Sequence, residues 1–240
     1  MTDKDFLKHF GILGMHWGRH KTSLTDGHEN LKGARTANLD KWGKDPQHNI
    51  LYVTGYSGSG KSTTARQLAD DKTHVIHLDP YFEKMDKNVA SSIQDKDFNK
   101  YLEKNFPEYK TIANPVKSER RSKEWFAKID TLMEHTEKFA AKQFFKNKKV
   151  IVEGVQLNDE TTYPNKDFFK DKPLVITGTN AVTSFIRAYK RDGKSMITSL
   201  QAAKEYVQWY SNTNKKLNTL SNYANAKVGA EWVTTYLSTH

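Results

Sequence analysis

The sequence predicts an α/β fold with a mostly parallel central sheet. Residues 50–53, 150–152 and 174–177 are short apolar runs rich in β-branched side chains, as expected of buried strands. Residues 125–144 instead repeat apolar side chains every three or four positions, which indicates a helix of about six turns packed on that sheet. Strands that alternate with helices in this way form parallel sheets. For 240 residues we expect one such domain with an insertion, and two small domains are the alternative.

The composition excludes several classes of protein. No apolar run approaches the roughly 18 residues of a membrane span, and the N-terminus lacks the apolar core of a secretory signal. The absence of cysteine excludes disulfides and cysteine-ligated zinc. The net charge of +10 suits either a site for polyanionic nucleotides or a nucleic-acid surface. Because the basic residues are mostly interleaved with acids, the nucleotide site is the favoured interpretation.

Residues 1–46 are predicted to form a flexible leader, separate from a domain at 47–240. Six glycines interrupt every potential element of this segment, and Pro46 closes it. Within it, residues 10–18 read FGILGMHWG, an apolar and aromatic strip that can dock on a partner or pack on its own domain.

Residues 9–18 resemble a short peptide that recurs in tailed-phage proteins, often near head or portal genes. The resemblance implies a phage-encoded protein in the host cytoplasm, with packaging in the virion as an option. Phage capsid or head proteins would then be partners of residues 9–20.

The segment from Gly55 to Ser62 reads GYSGSGKS and fits the phosphate-binding pattern G-x-x-x-x-G-K-[ST] at every fixed position. It lies between the strand at 50–53 and a predicted helix, which is the context that the pattern requires. Glycines let the backbone wrap round a polyphosphate, Lys61 would reach the β- and γ-phosphates, and the Ser62 hydroxyl would bind Mg²⁺. A glycine- and serine-rich turn without a ligand is the alternative. The predicted nucleotide-binding residues are Gly55, Ser57, Gly58, Ser59, Gly60, Lys61, Ser62 and Thr63.

Two acids follow predicted strands. Asp79 comes directly after a strand at 74–78, and Glu153 ends the strand at 150–152. Open parallel sheets bind ligands outside the carboxyl ends of their strands. Asp79 is therefore a candidate base toward an attacking hydroxyl, or a Mg²⁺ ligand through water, and Glu153 is a candidate Mg²⁺ acid near the γ-phosphate. The alternatives are a turn-forming Asp-Pro and a structural acid at a strand end.

Two further segments complete the predicted site. Residues 83–123 are polar and predict an acceptor-binding insertion or a lid, with one short helix that ends near Pro107. A helix predicted from about residue 179 to residue 191 carries Arg187 and Arg191 on one face. That face can close over transferring phosphates, or it can be an ordinary solvated surface.

Taken together, the segments GYSGSGKST, VIHLDPYF, KKVIVEGV and FIRAYKRD resemble the P-loop small-molecule kinases over residues 48–195. Uridine kinases and phosphoribulokinases carry an acidic-aromatic turn after the second strand, matched here by Asp79, Tyr81 and Phe82. They also carry an acid–glycine pair after the third strand, matched by Glu153 and Gly154. Zeta toxins, which phosphorylate a nucleotide sugar, share this layout.

The resemblance implies a P-loop kinase-like three-layer sandwich, ATP and Mg²⁺ as cofactors, and lid arginines at Arg187 and Arg191. The sequence departs from the family at Thr177, where uridine-type kinases usually carry an acid, and at Pro80, where many relatives have a polar residue. Both departures bear on the identity of the acceptor.

These features predict an ATP- and Mg²⁺-dependent phosphotransferase that moves the γ-phosphoryl group to a hydroxyl of a small molecule, nucleoside or nucleotide sugar. The leader suggests an alternative, a phage virion-associated structural or packaging protein with a nucleotide-binding switch. A nucleic-acid ATPase ranks last, because no basic stripe interleaved with aromatic residues occurs. The predicted catalytic residues are Lys61, Asp79, Arg187 and Arg191, and the predicted metal-binding residues are Ser62, Asp79 and Glu153.

Overall fold

The computed structural model describes residues 34–55, 58–82, 85, 87–113, 115, 122–158, 166–178, 217, 220, 224 and 227–228. These residues form a six-stranded mixed sheet with helices on both faces. The strands, in the spatial order β3-β4-β2-β5-β1-β6, are β1 (Arg35–Ala37), β2 (Ile50–Gly55), β3 (Thr73–His77), β4 (Lys149–Glu153), β5 (Leu174–Thr177) and β6 (Lys227–Val228). The helices are α1 (Lys61–Leu68), α2 (Asp79–Phe82), α3 (Lys87–Ile93), α4 (Lys96–Asn105) and α5 (Lys123–Phe144).

Four neighbouring strands of the sheet are parallel. Strand β2 pairs in parallel with β4 on one side and β5 on the other, and β3 pairs in parallel with β4. Every residue of β2 and β5 is buried, which is typical of parallel strands covered on both faces. The α/β class, the mostly parallel sheet and the strands predicted at 50–53, 150–152 and 174–177 are confirmed.

Alternate side chains along β2 pack on opposite faces of the sheet. Leu51 and Val53 belong to the same core cluster as Ala65 of α1. Ile50 and Tyr52 belong to the other cluster, which also contains the buried faces of α4 and α5. The period of two along the strand therefore places α1 on one face of the sheet and the longer helices on the other.

Helix α5 matches the periodic segment predicted at 125–144. Its cap is Ser122, whose Oγ accepts the Trp125 backbone N–H over 3.2 Å. Helix α4 is capped in the same way by Asp95, which accepts the Phe98 N–H over 2.8 Å, and it ends before Pro107 as predicted. Its buried residues pack in the core cluster of α5, so this part of the 83–123 insertion is integral to the core.

Strand β1 lies in the segment that the sequence analysis assigned to the leader. Arg35 pairs with Ile176 in antiparallel register, and β1 pairs with β6 on its other side. Trp42 is buried, and its Nε1–H donates to the Val150 carbonyl over 3.3 Å. The predicted boundary at residue 46 therefore falls inside the folded unit. A strand of three residues is too short to show a hydrophobic period, so the sequence carries no local signal for it.

In the part of the chain that the structure describes, no helix combines the length and the apolar character that crossing a membrane requires.

Candidate functional site

The carboxyl ends of the parallel strands bring the candidate site together at one edge of the sheet. Glu153 lies opposite Val53 of β2 and opposite His77 of β3, and Gly55 lies opposite Thr177 of β5. The loop after β2 and the turns after β3 and β4 therefore start side by side. This edge is where an open parallel sheet binds its ligands.

The phosphate-binding pattern forms the loop between β2 and α1. Gly60, the residue before α1, has a φ of 97°, a left-handed conformation that favours glycine. A Cβ at Gly55 would lie 2.2 Å from Thr177 Oγ1 and 2.6 Å from Ser59 Oγ, so the close approach of the β5 end requires glycine there. Helix α1 has no acid in its first turn, so the positive end of its dipole favours a bound anion.

A chain of hydrogen bonds ties this loop to the sheet. Thr177 Oγ1 donates to the Thr54 carbonyl over 3.1 Å. Because that hydroxyl has a single proton, Ser59 Oγ is the donor in the 2.6 Å bond between Ser59 and Thr177. All three residues are fully buried, so the bonds hold the middle of the loop against the end of β5.

Glu153 lies at the centre of the site and is only 2% exposed. Its Oε1 accepts a hydrogen bond from Ser62 Oγ over 3.1 Å and another from His77 Nδ1 over 2.7 Å. Its Oε2 is buried and has no hydrogen-bond partner among the described residues. Since Ser62 lies in the first turn of α1, the carboxylate connects the end of β4 to the start of that helix.

The surroundings of Glu153 favour its charged form. Burial alone would raise the pKa of this carboxyl, because a charge is poorly solvated inside a protein. The hydrogen bond from His77, the positive charge of Lys61 and the hydrogen bond from Ser62 oppose burial and hold the pKa of Glu153 below its ordinary value of 4.5. Near neutral pH the group is therefore a carboxylate, the form that attracts a cation.

Asp79 begins α2, and a single residue separates it from the end of β3. Its Oδ1 accepts a hydrogen bond from Gln156 Nε2 over 2.9 Å, and Gln156 lies in the 3₁₀ turn that follows β4. A residue after β4 thus holds the acid after β3, just as His77 on β3 holds Glu153 on β4. We call these two contacts, His77–Glu153 and Gln156–Asp79, the cross-braces of the site.

The short helix α2 is anchored in the core. Tyr81 is 1% exposed, and its hydroxyl donates to Asn99 Oδ1 on α4 over 2.7 Å. Burial raises the pKa of the Tyr81 phenol far above its ordinary value, so the group stays protonated and keeps donating. Phe82 is buried in the same core cluster. Tyr81 and Phe82 therefore fix the backbone next to Asp79 from the core side.

The structure brings together most of the predicted site residues that it describes. Lys61 and Ser62 lie at the start of α1 and act on Glu153, and Thr63 is half-buried in the same turn. Gly58 and Gly60 form the loop with left-handed backbone conformations. The residues Ser57, Arg187 and Arg191 lie outside the described part of the chain, so the roles predicted for them stay predictions.

His77 and Gln156 were not predicted from the sequence to belong to the site, and Thr177 was noted only as a departure from the kinase pattern. His77 was detectable as a polar residue at the end of a buried strand, two positions before Asp79. Its partner Glu153 was not detectable, because a long connection joins β3 to β4. The register of one strand against the other cannot be inferred from the sequence of either strand.

The oxygen ligands in the site fit a magnesium ion. Mg²⁺ prefers hard oxygen ligands and is usually held by one or two carboxylates together with substrate phosphates. Ser62 and Glu153 supply such oxygens, and the buried Glu153 Oε2 has capacity for a further partner. Among the described residues, no three His, Cys, Asp or Glu side chains are grouped to hold a metal by themselves. A cation at this site would therefore also depend on oxygens of a bound nucleotide.

Residues 2–24 match a family of unknown function (DUF7211). No curated protein and no solved structure matches the chain. The family match includes the FGILGMHWG strip and ends before β1 begins, so the phosphate loop and the two acids lie outside it.

Proposed function

We propose that the protein is an ATP- and Mg²⁺-dependent phosphotransferase with a P-loop kinase-like fold. It moves the γ-phosphoryl group of ATP to a hydroxyl of a small molecule, nucleoside or nucleotide sugar. The observation that carries the proposal is the pair of cross-braced acids, Glu153 and Asp79, at neighbouring strand ends beside the phosphate loop. One acid suffices on the metal side, and a second acid beside it can serve as the base that takes the proton of an acceptor hydroxyl.

On the nucleotide side, the phosphate loop binds the polyphosphate through backbone N–H groups and the positive end of the α1 dipole. Lys61 neutralises the β- and γ-phosphates. Ser62 and Glu153 would hold Mg²⁺, which supplies charge neutralisation at these phosphates when bound. The support for this division is the 3.1 Å hydrogen bond that already joins the Ser62 hydroxyl to Glu153.

On the acceptor side, Asp79 takes the proton of the acceptor hydroxyl while the hydroxyl oxygen bonds to the γ-phosphorus and the bond to ADP breaks. The hydrogen bond from Gln156 occupies Asp79 Oδ1 and orients the carboxylate. Arg187 and Arg191, on the helix face predicted from sequence, neutralise the transferring group.

The proposal is tested by following ADP formation with nucleosides, nucleotide sugars and polynucleotide 5′-ends as acceptors. We expect Lys61→Ala to abolish turnover, and Asp79→Asn to lower transfer about 10²- to 10⁴-fold while nucleotide still binds. The matched controls are Lys72→Ala and Asp71→Asn, because both side chains are exposed in the turn before β3. ATP hydrolysis that no acceptor stimulates, together with full activity of Asp79→Asn, would overturn the proposal.

A second candidate function rests on the leader. The family match at 2–24 identifies this stretch as a segment that also occurs in other chains, and it contains the peptide at 9–18 that resembles phage proteins. The candidate is a virion-associated structural or packaging protein whose nucleotide site acts as a switch, with residues 9–20 on a capsid or head protein. Deletion of residues 9–20 should remove the protein from purified virions, whereas deletion of residues 21–32 should not. If the natural protein is absent from virions, this candidate function is excluded. A kinase that is carried in the virion would be consistent with both candidate functions.

A further inference from the structure

We propose that His77 is a positioning residue that sets the Mg²⁺ requirement for nucleotide binding, by holding the Glu153 carboxylate in place beside Ser62. The inference rests on the proposed function, since it concerns the nucleotide half of the same site. It assigns a role to a residue that the phosphate-binding pattern does not include.

The geometry around Glu153 is asymmetric. Both donors, His77 Nδ1 at 2.7 Å and Ser62 Oγ at 3.1 Å, bind Oε1, while Oε2 has no hydrogen-bond partner among the described residues. The shorter bond comes from His77, and short hydrogen bonds to a charged acceptor are the stronger ones. His77 therefore fixes which oxygen of the carboxylate is occupied and which one remains.

Burial makes this bond consequential. The Glu153 side chain is 3% exposed and the His77 side chain is 16% exposed, so the bond is largely shielded from water. A buried carboxylate that loses a donor rotates toward another partner, because an unpaired buried polar group is costly. That rotation weakens the attraction of the site for a cation. In the proposed function Lys61 acts on the phosphates and Ser62 also binds the metal, so His77 is the donor whose only role in the site is to hold Glu153.

Strand β3 also provides a matched control. His74 lies three residues before His77, and its Nδ1 is 2.9 Å from Asp95 Oδ2. Its side chain is 9% exposed, so this is a second buried histidine–carboxylate pair on the same strand. Asp95 caps α4 and lies outside the site. Loss of His74 therefore tests general destabilisation without touching Glu153.

The experiment uses the full chain and titrates Mg²⁺ at a fixed concentration of a non-hydrolysable ATP analogue. Nucleotide binding is read by calorimetry and by the shift in melting temperature, so no turnover is needed. We expect His77→Phe to raise the Mg²⁺ concentration for half-maximal binding about 10-fold or more, the range found for residues that orient metal ligands. His77→Asn, whose amide N–H lies where Nδ1–H does, should restore the natural Mg²⁺ dependence. His74→Phe should lower the melting temperature and leave that dependence unchanged.

An unchanged Mg²⁺ dependence in His77→Phe overturns the inference, and so does an equal shift in His74→Phe. If His77→Phe does not fold, His77→Gln replaces it, because its amide reaches the position of Nε2 and not that of Nδ1. Identical Mg²⁺ dependence of the Gln and Asn variants then overturns the inference. A natural chain that binds no nucleotide in the presence of Mg²⁺ instead overturns the proposed function itself, and the two failures are therefore distinguishable.

Discussion

Gln156 donates an amide hydrogen to Asp79 Oδ1 over 2.9 Å, so the acid after β3 is oriented by a residue after β4. Replacing Gln156 by Met keeps the length of the side chain and removes the donor. We expect phosphoryl transfer to fall about 10- to 100-fold, because small displacements of a reacting group have effects of this size. The affinity for Mg²⁺ and nucleotide should not change, since Glu153 keeps both of its donors.

Steady-state kinetics test the predicted loss of transfer, and nucleotide calorimetry tests the unchanged affinity. The control is Gln47→Met, because Gln47 is exposed. Weaker nucleotide binding without loss of transfer would contradict the prediction.

Thr177 links the phosphate loop to the sheet through its hydroxyl. Thr177→Val removes the bonds to Ser59 and to the Thr54 carbonyl while preserving shape. We expect a loss of about 1–3 kcal/mol in the free energy of unfolding, because buried polar groups then lose a partner. We also expect weaker nucleotide binding, because the loop is held less firmly. Thr177→Ser keeps the hydroxyl and should retain both properties in denaturant titration and calorimetry. Equal behaviour of the Val and Ser variants would show that the hydroxyl is dispensable.

The sequence predicted those parts of the site that depend on residues close together in the chain. The loop from Gly55 to Ser62 and the position of Glu153 depend on residues that are adjacent in the chain, and α5 repeats its apolar pattern over 22 residues. The cross-braces join residues 76 and 77 positions apart, so they depend on the register of β3 against β4. No pattern within one segment specifies that register.

Strand β1 escaped prediction for a related reason. It has three residues, and the antiparallel neighbours β5 and β6 supply its stability through tertiary contacts. Gly33 lies two positions before it, and glycine is ordinarily a sign of a loop. In this case tertiary pairing overrides local propensity.

Gly55 should tolerate no side chain. In Gly55→Ala the new methyl group would lie 2.4 Å from the Thr177 carbonyl oxygen, which belongs to the backbone and cannot swing aside. We expect destabilisation of about 1–3 kcal/mol or more by the cost of overpacking. Gly43→Ala is the comparison, because the three atoms nearest to its methyl group would all belong to the flexible Lys149 side chain, although its φ of 76° adds some strain. Thermal unfolding should rank Gly55→Ala as clearly the more damaging, and the reverse order would refute this account.

His48 lies between two carboxylates, with Nδ1 2.8 Å from Asp45 Oδ2 and Nε2 3.0 Å from Asp171 Oδ2. Burial acts to lower the pKa of His48, but the two carboxylates outweigh it and raise that pKa above its ordinary value of 6.5. The hydrogen bond from His48 holds the pKa of Asp45 below 3.8, and Lys41 and His48 do the same for the pKa of Asp171.

The shifted pKa values of His48, Asp45 and Asp171 make the stability of the fold depend on pH. A raised histidine pKa stabilises the fold fully below about pH 6.5 and loses its effect as the pH rises through the raised pKa. The lowered carboxyl pKa values stabilise the fold above about pH 3.8 and lose their effect as the pH falls further. His48→Gln should therefore lower the melting temperature most between about pH 4 and pH 6.5, and the difference should shrink in alkaline buffer. A difference that stays constant across this range would exclude the charge-based explanation.

The start of the folded unit can be located by truncation. A chain that begins at residue 34 keeps β1 and the buried Trp42, and we expect it to unfold at the melting temperature of the full chain. A chain that begins at residue 49 loses both, and removal of one large buried aromatic side chain alone costs about 3–5 kcal/mol. We therefore expect it to be strongly destabilised in calorimetry. If the chain that begins at residue 49 is stable, the folded domain begins near residue 47, as the sequence predicted.

The register of β1 determines where the leader joins the domain. Arg35 lies opposite Ile176, next to the residue that holds the phosphate loop, so the chain enters the sheet at the edge that carries the site. Residues 25–34 can extend to roughly 35 Å at most. Any partner held by the 2–24 segment would therefore be tethered near that edge, at an effective concentration on the order of millimolar. Its encounters with the site would be governed by the length of the tether and not by the abundance of the partner in solution.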